Sequence, residues 1–142
     1  MQDQNFKNHA KMVPGFHYIG LISILALLGG SINYLLRATP ENKYLASLLV
    51  LTAITFVLIA WYARSFPLKA QDRAIRAEES LRYFIMTGKA MPTELRIGQI
   101  IALRFASDAE YLALVERAIK ENLSSKEIKM AIQNWKADYH RV

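Results

Sequence analysis

Three histidines are the side chains of this chain best suited to chemistry: His9, His17 and His140. Neutral imidazole is a common metal ligand and can transfer protons near neutral pH. His9 and His17 flank Pro14 and could hold a metal if an acidic side chain joined them. A pair without a carboxylate at a fixed spacing is more typical of interfacial or solvated histidines. The sequence therefore predicts no metal site and no bound cofactor.

The chain also lacks the motifs on which most catalytic and nucleotide-binding sites are built. With no cysteine, it can form neither a thiolate nucleophile nor a cysteine-ligated metal or cluster. It contains no G-x-x-x-x-G-K-S/T, G-x-G-x-x-G, H-E-x-x-H or G-x-S-x-G motif. The paired carboxylates Glu78 and Glu79 stand near arginines, as on a helix surface. We therefore expect no enzymatic activity, and an enzyme that uses one of the histidines is the weakest alternative.

Two long uncharged stretches are the most prominent elements of the chain. Apolar residues make up 53% of the sequence and charged residues 21%, a balance that excludes a disordered polar chain. Residues 12–36 and 44–63 contain no Asp, Glu, Lys or Arg. About 20 helical residues cross the roughly 30 Å hydrocarbon core of a bilayer, and neither stretch shows the period of a surface helix. We predict transmembrane helices over 16–36 and 44–63.

Residues at the ends of the two stretches favour insertion as a helical hairpin. Aromatic side chains, which prefer the membrane–water interface, lie at both ends of each stretch: Phe16, His17, Tyr18, Tyr34, Tyr44, Trp61 and Tyr62. The connector RATPENK, residues 37–43, contains Pro40 and is too short to separate the helices. The alternative, a water-soluble bundle that buries both helices, would need a larger protein around them. The sequence therefore predicts antiparallel neighbours that span a membrane.

Basic residues near the helix ends predict the orientation of this hairpin. Six flank its open side: Lys7, Lys11, Arg64, Lys69, Arg73 and Arg76. The connector carries only Arg37 and Lys43. Because basic residues accumulate in cytoplasmic loops, we predict a multi-pass membrane protein with both termini in the cytoplasm; in a bacterium the membrane would be the inner one. This placement also accounts for much of the net charge of +6, so no nucleic-acid partner is expected.

Small residues in the first predicted span indicate a helix-packing surface. Ser23, Ala26 and Gly30 lie on one helical face, and small residues let helix backbones approach closely in a bilayer. The partner helix belongs either to the same hairpin or to another protomer. The alternative is that glycine is simply common in membrane helices.

Hydroxyl and amide side chains within the spans are the candidates for lining a pore. The set is Ser23, Ser31, Asn33, Thr52 and Thr55. Threonine hydroxyls in such helices more often donate to carbonyls of their own helix. Neither span contains Asp, Glu, Lys or Arg, which counts against a proton-coupled transporter. A hydroxyl-lined or hydrophobic pore in a homo-oligomer stays open as an alternative.

Charged residues become frequent after residue 64. We predict an N-terminal cytosolic or interfacial segment over 1–15, the hairpin over 16–64, and a cytosolic domain of about four helices over 65–142. The predicted fold class is all-α. Basic residues on one face of the first cytosolic helix either contact anionic lipid headgroups or only set the topology: Lys69, Arg73 and Arg76.

The first cytosolic helix has clear predicted ends. Pro67 suits a first helical turn, where its missing amide hydrogen has no partner to lose, and Gly88 suits a helix end. Two ion pairs at four-residue spacing are expected: Asp72–Arg76 and Glu78–Arg82. The apolar stripe of this helix consists of Ala74, Ala77, Leu81, Phe84 and Ile85.

Three further helices are predicted, each from a local start signal. Pro92–Thr93 opens the first. Capping boxes open the other two: Ser107-x-x-Glu110 and Ser124-x-x-Glu127. The last helix is expected to run close to the chain end and to carry Trp135 and Tyr139 on its apolar face. Such faces imply a compact domain packed on itself, on the preceding helix or on a partner.

Three segments resemble an uncharacterised bacterial membrane-protein family, one of the domain-of-unknown-function groups. They are QNFKNHAKMVPGFH (Gln4–His17), LKAQDRAIRAEESLRYF (Leu68–Phe84) and QIIALRFASDAEYLALVERAIKENLSSKEIKMAIQNWKADYHRV (Gln99–Val142). The resemblance implies two spans, a cytosolic tail and a bacterial source, and it carries no activity. Its most distinctive segments lie in the tail, which implies that specific contacts are made there.

Together these features predict a non-enzymatic membrane protein. We expect a hairpin anchor that presents a helical cytosolic domain for self-assembly or for docking to a larger membrane complex, in contact with membrane lipids. The alternative is a small homo-oligomeric channel.

Overall fold

A computed structural model describes residues 5–6 and 12–138 of the chain. Apart from one isolated β-bridge, its regular secondary structure is helical throughout these residues. A π-helical turn, Gly15–Gly20, is followed by α1 (Leu21–Arg37), α2 (Lys43–Thr87), α3 (Ile97–Leu103), α4 (Asp108–Lys120) and α5 (Ser125–Ala131). The predicted all-α class is confirmed.

The chain divides into two compact units. The N-terminal unit is Met12–Pro67, and the C-terminal unit contains the described residues from Leu68 onward. α2 contributes to both, since the division falls inside this helix.

Shielded residues of the N-terminal unit recur along each helix, mostly every three or four positions. On the π-helical turn and α1 they are His17, Gly20, Ile24, Leu28, Ser31 and Leu35. On α2 they are Ala46, Val50, Ala53, Ala60 and Arg64. We call these two rows the inner stripes. The most buried members are small (Ser31, Ala46 and Ala53), as expected where helix backbones lie close together.

Pro67 does not begin a helix, so this prediction was wrong. α2 runs from Lys43 to Thr87 with Pro67 inside it. A proline within a helix removes one hydrogen bond and crowds the carbonyl four residues earlier, at a cost of about 3 kcal/mol; the remaining bonds of so long a helix keep it continuous. The predicted end is confirmed, because Gly88 has a φ of 69°, a left-handed conformation that glycine adopts without strain.

Both predicted capping boxes are present, whereas two other helix ends were misplaced. Ser107 caps α4 and Ser124 caps α5, each with a glutamate three residues later. α3 starts at Ile97 and not at Thr93, because the Gln99 side chain accepts the amide hydrogen of Arg96 at 2.8 Å and fixes the first turn there.

The last helix ends at Ala131, well before its predicted end. Glu110 accepts the amide hydrogens of Gln133 and Asn134, both at 3.0 Å, and so draws this segment out of helical geometry. Trp135 then pairs with Ala106 in the isolated bridge. Tyr139, predicted for the same helix face, lies outside the described residues.

The core of the C-terminal unit forms where α3, α4 and α5 meet. Its largest fully buried side chains are Phe105, Tyr111, Ile100, Leu103, Ile128 and Val115. The buried Gln99 amide donates to the carbonyl oxygens of Leu123 at 2.8 Å and Ala118 at 3.4 Å, which satisfies it. A Cβ added to Gly98 would lie 2.8 Å from Ser125 Oγ, so glycine permits the close approach of α3 and α5.

Glu110 should therefore stabilise the C-terminal unit in a pH-dependent way. Burial alone would raise the pKa of its carboxyl, but the amide hydrogens of Gln133, Asn134 and Ser107 outweigh burial and hold it below the ordinary value. A lowered folded-state pKa gives stability that is present above the unfolded pKa and lost as the pH falls through the folded one. Glu110→Ala should cost about 1–2 kcal/mol at pH 7, and less at pH 3.

The measurement is chemical unfolding of the full-length protein in detergent at the two pH values. Glu116→Ala is the matched control on the exposed side of the same helix, and it should change the free energy of unfolding by less than about 0.5 kcal/mol. An equal loss for Glu110→Ala at pH 7 and pH 3 would contradict this role for the ionised carboxylate.

Candidate functional site

Arg82 is the centre of the polar contacts between α2 and α4. Its Nη1 donates to Glu79 Oε2 at 3.2 Å and its Nε to Asp108 Oδ1 at 2.8 Å. Nη2 donates to Asp108 Oδ1 as well and to the carbonyl oxygen of Ala106 at 2.8 Å. The guanidinium carbon also lies 4.1 Å from the centre of the Tyr111 ring. We call this set the Arg82 cluster.

The electrostatics of the Arg82 cluster indicate a structural role. The hydrogen bond and the charge of Arg82 hold the pKa of Asp108 below its ordinary value. Burial, followed by the nearby charge of Glu79, raises the pKa of the Tyr111 hydroxyl. Tyr111 therefore keeps its proton. The N–H groups of Arg82 donate to fixed partners, an arrangement that joins helices and offers neither a base nor a nucleophile.

The Arg82 cluster replaces the ion pairs predicted from four-residue spacing. Arg82 pairs with Glu79 and Asp108 and not with Glu78. Within the described part of the chain, Asp72–Arg76 and Glu78–Arg82 are absent from the ion pairs. The Glu78–Arg82 prediction was wrong because Asp108, 26 residues from Arg82 in sequence, competes successfully with a partner one helical turn away.

A second cluster joins the end of α3 to the segment after α5. The Phe105 and Trp135 rings stack with centroids 4.7 Å apart. Arg104 lies 4.6 Å above the Phe105 ring and pairs with Asp138 at 3.1 Å. Stacked rings and a cation over a ring face stabilise tertiary contacts. Sequence reasoning placed Trp135 on a helix and missed this cluster, because nothing local marks a contact across 30 residues.

Of the three histidines weighed as metal ligands, His17 alone lies within the described residues. His17 lies in the π-helical turn, with its Nδ1 3.1 Å from both the amide nitrogen and the carbonyl oxygen of Val13. His9 and His140 lie outside the described residues. Residues 5–6 and 12–138 contain no group of three or more potential metal ligands.

An apolar cleft borders His17 at one end of the N-terminal unit. Its volume is about 450 Å³, and Arg64 and His17 are its polar side chains. It is lined by Phe16, His17, Gly20, Leu21, Ile24, Leu25, Val57, Ala60, Trp61 and Arg64. The residues come from α2 and from the turn and helix before it, so these elements are neighbours at this end. The walls suit an apolar chain and supply no acid–base pair.

The residues predicted for helix packing lie away from the inner stripes. Ser23, Ala26 and Gly30 are all exposed, and a Cβ added to Gly30 would meet nothing within 4 Å. The neighbouring inner-stripe residues are Gly20 and Ser31. The signal that sequence reasoning missed is the seven-residue spacing of the shielded Ala46, Ala53 and Ala60 on α2.

Three of the residues proposed to line a pore already donate within their own helices. Ser31 Oγ donates to Leu28 O at 3.0 Å, Thr52 Oγ1 to Leu48 O at 2.8 Å and Thr55 Oγ1 to Leu51 O at 2.9 Å. Asn33 is exposed. This hydroxyl geometry matches the back-bonding considered in the sequence analysis.

Two helices are long and apolar enough to cross a membrane by length and composition: Gly15–Arg37 and Lys43–Thr87. In their most apolar 18-residue windows only 6% and 11% of residues are buried. The core helix of a water-soluble protein would be mostly covered. Large apolar side chains are instead exposed along both helices.

Further along α2, the side facing outwards is again apolar. Ile75 and Glu79 are buried on the inward side, and Arg82 is largely shielded there. The predicted apolar stripe is exposed: Ala74, Ala77, Leu81, Phe84 and Ile85. Exposed large apolar side chains grouped on one helix face are unusual outside an interaction surface. The basic residues Lys69, Arg73 and Arg76 are exposed too.

The Arg82 cluster should be a major source of stability in the C-terminal unit. Arg82→Ala would leave Glu79 buried without its partner, which typically costs about 3–5 kcal/mol. Arg117→Ala is a matched control, since it breaks the ion pair with Glu121 on the surface of α4 and should cost less than about 0.5 kcal/mol. Thermal unfolding of the two full-length variants measures the difference, and equal melting temperatures would contradict the assignment.

The comparisons with known proteins identify a family and no function. A family model described as "Family of unknown function (DUF6526)" matches residues 1–142. No curated protein and no solved structure matches the chain. The resemblance to an uncharacterised family of unknown function is thus confirmed over the whole sequence.

Proposed function

The chain belongs to the DUF6526 family of unknown function, and we propose that it is a non-enzymatic integral membrane protein. Residues 16–36 and 44–63 form a helical hairpin in the bilayer. The unit from Leu68 onward is presented for assembly, with further copies of the chain or with a larger membrane complex.

The surface of the two apolar helices supports membrane insertion. Leu36, Tyr44 and Trp61 are more than two-thirds exposed, and large apolar side chains are exposed along both helices. In water each apolar Å² left uncovered forgoes about 25 cal/mol, whereas in hydrocarbon the same surface carries no such penalty. Ser31, Thr52 and similar hydroxyls bond within their own helices, as they must where water is absent.

The distribution of charge supports one orientation. Basic residues flank the open end of the hairpin, among them Arg64, Lys69 and Arg73, whereas the connector carries two. Lys7 and Lys11, which contribute to this bias, lie outside the described residues. The proposal therefore puts both termini in the cytoplasm of a bacterium, with the hairpin in the inner membrane and Lys69, Arg73 and Arg76 near anionic headgroups.

Substituted-cysteine labelling tests this orientation, because the chain has no cysteine of its own. A membrane-impermeant maleimide should label Glu41→Cys, in the connector, on intact spheroplasts. Lys126→Cys, at an exposed position of α5, should react only after the membrane is permeabilised. Reversed labelling would overturn the orientation, and recovery of the protein in the soluble fraction without detergent would overturn membrane insertion.

The exposed small-residue face of α1 is the observation that carries the proposal of assembly. Ser23, Ala26 and Gly30 are not used by the inner stripes. Between helices in lipid the hydrophobic effect is weak, so association depends on close packing at small residues. A helix from another protomer or another subunit would fill the open space at Gly30. The channel alternative has no comparable support, because three of its four candidate hydroxyls, those of Ser31, Thr52 and Thr55, already donate within their own helices.

The matched pair Gly30→Leu and Gly29→Leu tests this face. Both glycines have open space around a Cβ, but Gly29 lies about 90° around the helix from the small-residue face. Overpacking a close contact costs about 1–3 kcal/mol, so Gly30→Leu should weaken the oligomer roughly tenfold. Gly29→Leu should leave it intact. Particle mass by light scattering in mild detergent measures both, and a wild-type protein that is strictly monomeric and without partners would defeat the proposal.

A further inference from the structure

We propose that the outward face of α2 beyond Pro67 pairs with the same face of a second copy of this chain, in parallel and with identical residues opposite each other. This inference rests on the proposed function, since it names the partner with which the protein assembles. It adds a contact outside the bilayer that is independent of the small-residue face of α1.

The apolar residues of this face have the spacing of a two-stranded coiled coil. Ala70, Ala74, Ala77, Leu81 and Phe84 follow one another at intervals of four, three, four and three residues. Such alternation keeps the row on one side of a helix and allows it to meet a second helix along its length. All five are exposed, including Leu81 at 59% and Phe84 at 55%. We call this row the outer stripe.

The other side of the same helix segment is already occupied. Ile75 and Glu79 are buried, and Arg82 bonds across to α4. At about 100° per residue, these positions lie roughly opposite the outer stripe. A second helix can therefore cover the outer stripe without displacing anything that holds the C-terminal unit together.

The charges beside the outer stripe favour a second copy and specify its direction. If Ala74 and Leu81 take heptad position a, Arg73 falls at position g and Glu78 at position e. In a parallel pair, g of one helix lies beside the following e of the other, so Arg73 of each copy faces Glu78 of its partner. An antiparallel pair would bring positions of the same kind together and oppose like charges. Among the described residues neither side chain has an ion-pair partner within the chain.

Membrane insertion as proposed is compatible with a parallel pair. Copies inserted with one topology present the residues from Leu68 onward on the same side of the membrane. The outer stripe covers only about two heptads, which alone would pair weakly. Confinement of both copies to one membrane raises their effective concentration and favours the pairing.

Disulfide cross-linking of single-cysteine variants in native membranes tests the register, because the chain contains no cysteine. Leu81→Cys and Ala74→Cys should form a disulfide-linked dimer under mild oxidation, since identical a positions face each other in a parallel pair. Arg76→Cys is the control, because it is exposed on the same helix but lies away from the outer stripe. It should cross-link at least about tenfold less.

Charge reversal provides a second measurement, on dimers in mild detergent. Arg73→Glu and Glu78→Arg each place like charges opposite one another twice per dimer, and each should weaken it about threefold to tenfold. The double variant restores opposite charges and should recover the wild-type affinity. If Arg73 only contacted anionic lipid, Glu78→Arg alone would not weaken the dimer, and this outcome would overturn the inference.

The two proposals fail in different ways. Absence of the Leu81→Cys cross-link in a protein whose oligomer still depends on Gly30 would overturn the outer-stripe pairing and leave the proposed assembly standing. A monomer by every measurement would overturn both. Cross-linking at Arg76→Cys as strong as at Leu81→Cys, or cross-linking of Leu81→Cys to a different protein, would also exclude the symmetric pair.

Discussion

The contacts of Arg82 determine which side of α2 faces the rest of the C-terminal unit. Its guanidinium bonds to Glu79 on its own helix and to Asp108 and the carbonyl of Ala106 beyond it. Glu79 and Arg82 are both largely shielded from solvent, so the loss of either side chain would leave the other without its ion-pair partner inside the protein. Because this side of the helix packs against the rest of the C-terminal unit, Leu81 and its neighbours on the outer stripe must face outwards.

Much of this organisation could be predicted from local sequence, and the successes share a physical cause. The length of the two uncharged stretches is enough to predict two helices that are suited to a bilayer. The capping boxes at Ser107 and Ser124 depend on side chains three residues apart, and the end of α2 depends on one glycine with positive φ. In each case the interacting groups are close in sequence, so their geometry is nearly determined before the chain folds.

The failures involve groups that meet only after folding. Arg82 prefers Asp108 to the nearer Glu78 because Asp108 lies at the start of a helix packed against α2. α5 stops early because Glu110, far back in the sequence, captures the next amide hydrogens. The small-residue face predicted at Gly30 stays a prediction, and it lies apart from the inner stripe of α1, which runs through Ser31. Small residues indicate that a helix packs closely against another, but the face that is used depends on the partner helix.

The outer stripe shows how charge distinguishes occupants that an apolar face alone would not. A helix lying on an anionic membrane surface carries basic residues along both edges of its apolar face. Here one edge carries Arg73 and the other Glu78, so a lipid surface would attract one edge and repel the other. A second parallel copy presents each of these charges with its opposite while covering Leu81 and Phe84. The opposite charges on the two edges of the outer stripe disfavour a lipid surface. They also make this face complementary to the same face of a second copy.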